Sequence, residues 1–172
     1  MKLSKLLLGV GVSLLASSAL AVDGYKDLKF GSSIEQVKKS KSCKSGWIDL
    51  KQNGAWGCPK FQFGKDTTYG YAFLFDNKLE RVSIMIPTGK ASAVSNGLLE
   101  KYGQPSSIPQ NAPTDGNFPP NSNWDIGFDN DTVLFRASFD ANGGQSSFVI
   151  YTTTDFNKKA QQNQNFEVKD DL

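Results

Sequence analysis

Four aspartates, Asp125, Asp129, Asp131 and Asp140, crowd one short stretch of this chain. Two carboxyl groups held at a defined separation across a cleft can hydrolyse a glycosidic bond. Asp129, Asp131 and Asp140 fall in turn-like contexts, where aspartate serves its own backbone. Asp129-Asn130-Asp131 also opens like a calcium loop, but the glycine and terminal glutamate of an EF-hand loop are missing. The chain contains no histidine. That removes Ser-His-Asp and Cys-His nucleophile systems, the commonest general base and histidine-based zinc sites. No catalytic residue, metal site or cofactor is therefore expected, and the protein is read as a non-enzyme.

The two cysteines, Cys43 and Cys58, lack the C-x-x-C spacing of a redox pair and are expected to form a disulfide. Trp47 and Trp56 lie inside the loop that this bond would close. Rigid aromatics on a stapled loop serve as interface anchors, and they also suit stacking on a sugar; equally, Trp is usually largely buried. Phe118 sits in a segment, Gln104 to Asn123, that holds five of the seven prolines. A long extended loop of that kind is unusual inside a compact domain. Trp124 follows it directly. Trp47, Trp56, Phe118 and Trp124 are the candidate binding residues.

Several elements must position these side chains. Ser32 with Glu35, or Ser33 with Gln36, makes a capping box that opens a short first helix with Ile34 and Val37 inward. Lys38, Lys39, Lys41 and Lys44 follow as a solvated face. Phe61 and Phe63 alternate with polar residues. From Thr67 to Phe75 the pattern has period two, with Tyr69, Tyr71, Phe73 and Phe75 on one face and Thr68, Gly70, Ala72 and Leu74 on the other. The aromatic stripe is expected to be the core side. Asp76-Asn77-Lys78 is turn chemistry, and Leu79 to Ile86 completes a hairpin with Val82, Ile84 and Ile86 together. A second helix from Lys90 to Tyr102 repeats Val94, Leu98 and Tyr102 on one side, and Gly103 and Pro105 stop it. Three further strands, Trp124 to Phe128, Thr132 to Phe139 and Ser146 to Thr153, close the fold.

The order predicts an α+β protein: an antiparallel sheet with two helices packed on one face, in tandem α-β-β-β halves at about 23–87 and 88–155. Residues 156–172 are read as a polar, flexible tail. Residues 1–21 have the layout of a secretory signal peptide: Lys2 and Lys5, an apolar run from Leu6 to Leu15, and Ala19 and Ala21 before the cut. That apolar run is too short for a comfortable membrane span, so no integral segment is expected once it is removed. The mature chain then starts at Val22 in the periplasm or outside the cell. Lys+Arg number 19 and Asp+Glu 17, and loss of Lys2 and Lys5 equalises them. A neutral protein with scattered charge is a poor ligand for nucleic acid or an anionic membrane surface.

Phe30-Gly31-Ser32-x-x-Glu35-x-Val37 resembles the helix start of small bacterial envelope modules. Leu98-x-x-x-Tyr102-Gly103-Gln104-Pro105, followed later by Trp124, is similar to the helix, Gly-x-Pro turn and Trp-bearing strand of the same group. These are the SmpA/OmlA (BamE-like) domains and the β-lactamase-inhibitor-protein-like folds. The resemblance implies helices on an antiparallel sheet and a module that acts by binding proteins, with no catalytic residue to transfer. This chain lacks the lipidated cysteine of the outer-membrane lipoproteins. The expected function is therefore a periplasmic binding or inhibitor-like protein acting on another periplasmic or outer-membrane protein. A glycan-binding module or a carboxylate-dependent hydrolase is the alternative.

Overall fold

The structure, a computed structural model, describes residues 22–52, 54–113, 115 and 117–162. The predicted leader, residues 1–21, lies outside the described residues.

Polar turns cut the chain into short strands. β1 (Gly24–Tyr25) and β2 (Leu28–Lys29) form a small antiparallel ribbon. α1 (Ile34–Lys38), β3 (Ile48–Asp49), β4 (Ala55–Phe63), β5 (Asp66–Phe75) and β6 (Lys78–Met85) follow. After α2 (Ala91–Tyr102) come β7 (Ser122–Phe128), β8 (Val133–Phe139) and β9 (Gln145–Thr152). The main sheet has seven strands in the order β3-β4-β5-β6-β9-β8-β7, all paired antiparallel. β6 and β9 meet at its centre, with Val82 opposite Tyr151 and Ile84 opposite Val149. At the β5–β6 turn Asp76 and Asn77 take φ of 49° and 56°. Left-handed backbone at both turn positions matches the twist of a hairpin, and Asp and Asn accept it readily.

The expected α+β class is overturned: the protein is mostly β. α1 is one turn, held by the reciprocal Ser33–Gln36 capping box. α2 buries only Leu98 fully. A helix this short or this sparsely apolar cannot form a layer by itself. The side of the sheet that carries the helices is filled instead by Tyr25 and Leu28 of the ribbon, Val37 of α1, and Trp47. Asp27 ties the ribbon in place by accepting hydrogen bonds from Ser40 Oγ (2.9 Å), Lys41 N (2.8 Å) and Ser42 Oγ (2.9 Å).

The aromatic stripe of β5 is not the core face. Gly70 and Ala72 are buried on the helix side, while Tyr71 and Phe73 are half-buried on the other and Tyr69 is exposed. The reason is local packing. The fully buried Phe61 ring lies against Gly70, where any Cβ would overlap it. Small residues on β5 make room for a large one arriving from β4.

Packing also continues beyond residue 155, where the tail was expected to begin. Residues 156–162 are helical, and Phe156 is buried against Phe73 and Phe75, with ring centroids 5.9 and 5.2 Å away. Lys159 pairs with the buried Glu80.

Cys43 and Cys58 form the disulfide, joining the segment after α1 to β4. With the cysteines separated by 15 in sequence, the closed loop should stabilise the fold by about 3 kcal/mol in the chain-entropy account. Replacing both cysteines by serine should lower the unfolding free energy by about that amount in urea titration, with an unchanged far-ultraviolet spectrum.

Candidate functional site

Two faces of one sheet have different chemistry. Alternation along the strands sends Tyr71, Phe73, Ser83, Arg81, Phe148, Arg136, Ser138 and Asp125 away from α1 and α2, because their cross-strand partners share that side. Tyr71, Phe73 and Phe148 line a shallow hollow of ≈ 250 Å³, together with Asn123, Arg136 and Ser138. Tyr69, 51% exposed, extends the aromatic row along β5. At the β4 side Ile48 and Leu50 are also exposed. An apolar row rimmed by amides, hydroxyls and charges is the anatomy of an interaction surface.

Charge on this face is arranged unevenly. Asp125 and Arg136 face each other across β7 and β8 and form a two-pronged pair, Nε to Oδ1 and Nη2 to Oδ2, both 2.7 Å. That bond to Asp125 raises the Arg136 guanidinium above its ordinary pKa. Arg81 stacks on Phe156, its Cζ 3.5 Å from the ring centroid. Burial, aided by repulsion from Arg136, pushes Arg81 down to about 10, so it stays charged at neutral pH.

The predicted binding residues do not form one site. Trp47 is 8% exposed and packs edge-on against Phe61, with centroids 6.0 Å apart. Trp56 is half-buried on the helix side, opposite Ala72, under the Lys38 ammonium at 4.4 Å. Phe118 stacks on Phe139 at 4.6 Å and meets Trp124 edge-on at 5.6 Å. Trp56 is on β4 and Trp124 on β7, with β5, β6, β9 and β8 between them. The first pair belongs to the core and its border. The second fastens the proline-rich loop to the far end of the sheet. That loop also covers the β7 edge, where Ser106 N donates to Gly127 O and Gly127 N to Ser107 O.

The aspartates are structural staples here. Asp131 Oδ1 accepts from the Ser106 and Ser107 hydroxyls at 2.6 and 2.7 Å. Asp140 Oδ1 caps the Asn142 and Gly144 N–H groups. Asp129 Oδ2 accepts from Val22 N at 2.9 Å and from Thr132 Oγ1 at 3.0 Å. The residues that sequence reasoning missed are Tyr71, Phe73, Arg81 and Phe148. For Tyr71 and Phe73 the signal was visible as the larger side of the β5 alternation, read with its faces reversed.

Trp47→Ala should therefore act as a core deletion and cost about 3–5 kcal/mol in thermal or denaturant unfolding. Trp56→Ala should cost clearly less. Equal, small losses would place Trp47 on the surface.

Comparison with known proteins gives kinship. An uncharacterised protein of Haemophilus influenzae is 37% identical over the whole of both chains. An uncharacterised protein of Pasteurella multocida is 35% identical over 101 residues, covering 52% of this chain and 50% of that one. No solved structure matches the chain significantly. A family described as "Uncharacterised protein" matches residues 25–171, and the chain belongs to that family.

Proposed function

We propose that this protein is exported and works as a non-enzymatic binding module of the cell envelope, with its partner protein seated on the face of the sheet opposite α1 and α2. One observation carries this reading. The packing of Phe61 on Gly70 leaves Tyr69, Tyr71 and Phe73 outside the core as a continuous row. Flat aromatics with few rotatable bonds give large contact area at low entropic cost, and they concentrate at interface hot spots. The Asp125–Arg136 pair, Asn123 and Ser138 supply a polar rim that fixes register. The absence of histidine and the structural employment of the aspartates weigh against hydrolysis.

Export has support of its own in Val22. Its N–H donates to Asp129 Oδ2. Removal of a leader after Ala21 turns that N–H into an ammonium placed against a carboxylate, and Val22 itself packs on the core. The new terminus would thus be held by an ion pair, which favours Val22 as the start of the mature chain.

Two tests follow. A photocrosslinking residue at Tyr69 in the exported protein should capture one envelope protein in intact cells, whereas one at Leu99 on α2 should not. Tyr71→Ala should weaken capture by the residue at position 69 without lowering the melting temperature appreciably. Recovery of glycan fragments in place of a protein would overturn the reading. Separately, terminal sequencing of the exported chain should begin at Val22. Adding one residue before Val22 should cost about 1 kcal/mol of stability, and this loss should vanish in an Asp129→Asn background.

A further inference from the structure

Arg81 is a buried charge whose described hydrogen-bond partners are neutral. It is 9% exposed, at the middle of the sheet, between Phe73 on β5 and Thr152 on β9. Nε donates to Thr152 Oγ1 at 3.1 Å and Nη2 to Asn157 Oδ1 at 3.3 Å. A guanidinium has five N–H donors. Among the described residues the ion pairs are Lys29–Asp23, Lys51–Asp49, Arg136–Asp125 and Lys159–Glu80, so none neutralises Arg81. Asp125 is the carboxylate that acts on it through space, and both Asp125 oxygens are already bonded to Arg136. The cluster of Arg81, Arg136 and Asp125 carries one surplus positive charge. Burying a cation without a counter-ion is costly, so natural proteins pair such groups.

The surplus charge borders open space. Arg81, Thr152, Thr154, Asn157 and Asn130 line a hollow of ≈ 400 Å³ on the face opposite α1 and α2, where the Phe156 ring covers one side of the guanidinium. Asp131 is in the same wall, with its Oδ1 taken by the two serine hydroxyls. Asp125 in this hollow and Arg136 in the aromatic one are the two halves of a single ion pair, so the two hollows adjoin. A planar fork of N–H donors fits a carboxylate through two parallel bonds.

We propose that Arg81 is the receptor for a peptide carboxylate, with the adjoining aromatic or apolar side chain of the same peptide lying on Tyr71, Phe73 and Phe148. This deepens the sheet-face reading and rests on it. The occupant is an acidic or C-terminal segment of the partner protein, whose negative charge complements the surplus positive charge of the Arg81, Arg136 and Asp125 cluster. This chain's own sequence after residue 162, which carries Glu167, Asp170 and Asp171, is the competitor that the test separates.

The test uses the full mature chain with N-acetylphenylalanine and its uncharged amide as probes, followed by nuclear magnetic resonance. The acid should bind saturably, shift the side-chain signals of Arg81, Tyr71 and Phe73, and bind at least about tenfold tighter than the amide, the ratio expected when a charge-assisted pair is lost. Arg81→Gln should erase that difference. Should the variant fail to fold, the acid-to-amide ratio on the native chain still decides. Glu167→Gln/Asp170→Asn/Asp171→Asn tests the competitor: unchanged binding of the acid is expected for a foreign segment, and tighter binding would overturn it in favour of the chain's own. Equal shifts by acid and amide at Tyr71 and Phe73 would overturn the role of Arg81 while leaving the sheet-face reading standing. No response from either probe at Arg81 would overturn it as well.

Discussion

The contact between Phe61 and Gly70 sets the polarity of the sheet. Phe61 arrives from β4 on the helix side and is completely buried. It touches Tyr25 and Trp47, with centroids 5.9 and 6.0 Å away. That aromatic group can settle on β5 only because position 70 has no Cβ. Every other residue of the strand then follows by alternation. Ala72 and Leu74 go inward with Gly70, and Tyr69, Tyr71 and Phe73 must go outward. The strand that carries the most aromatic surface is thereby turned away from the core. Function is argued from this inversion, because a protein gains no folding stability from exposing a tyrosine row.

The polar residues divide along the same line. Asp27, Asp129, Asp131 and Asp140 bind backbone N–H and hydroxyl groups at turns, and so hold the ribbon, Val22, the proline-rich loop and the β8–β9 turn. They are consumed by architecture. The Arg81, Asp125 and Arg136 cluster is different. It sits mid-strand, partly or largely buried, and its charges do not cancel among the described residues. Structural economy explains the first group and leaves the second unexplained, which is why a ligand is assigned there.

Much of the fold was legible, and what was not has a common physical cause. Turn chemistry at Asp76-Asn77 and Asp129-Asn130-Asp131 located two hairpins, and positive φ at those positions is the reason. The Ser33–Gln36 box located α1. Periodicity separated the two faces of β5 correctly but could not say which was inward. Size suggested the aromatic face; the deciding fact is where Phe61 of β4 lands, which β5 alone does not reveal. Trp47 was left open between core and surface for a like reason, because nothing local distinguishes a loop tryptophan that points out from one that meets a buried phenylalanine. The helices were weighted too heavily because a cap and a C-terminal glycine mark ends well and mark depth of packing poorly. Phe156 was lost in a polar run, although a single aromatic beside Thr153 and Asp155 is enough to fold the segment back on Phe73 and Phe75.

The claim most in need of a direct test is that the aromatic face is both outward and occupied. Hydroxyl-radical footprinting of the purified mature chain and of the same chain in intact cells measures both at once. Tyr69, Tyr71 and Phe148 should label in the purified protein, Tyr25 and Tyr151 should not, and labelling in cells should fall at the first three while Leu99 and Ile108 stay unchanged. Strong labelling of Tyr25 or Tyr151 in the purified chain, or no change at Tyr69 and Tyr71 in cells, would contradict the account.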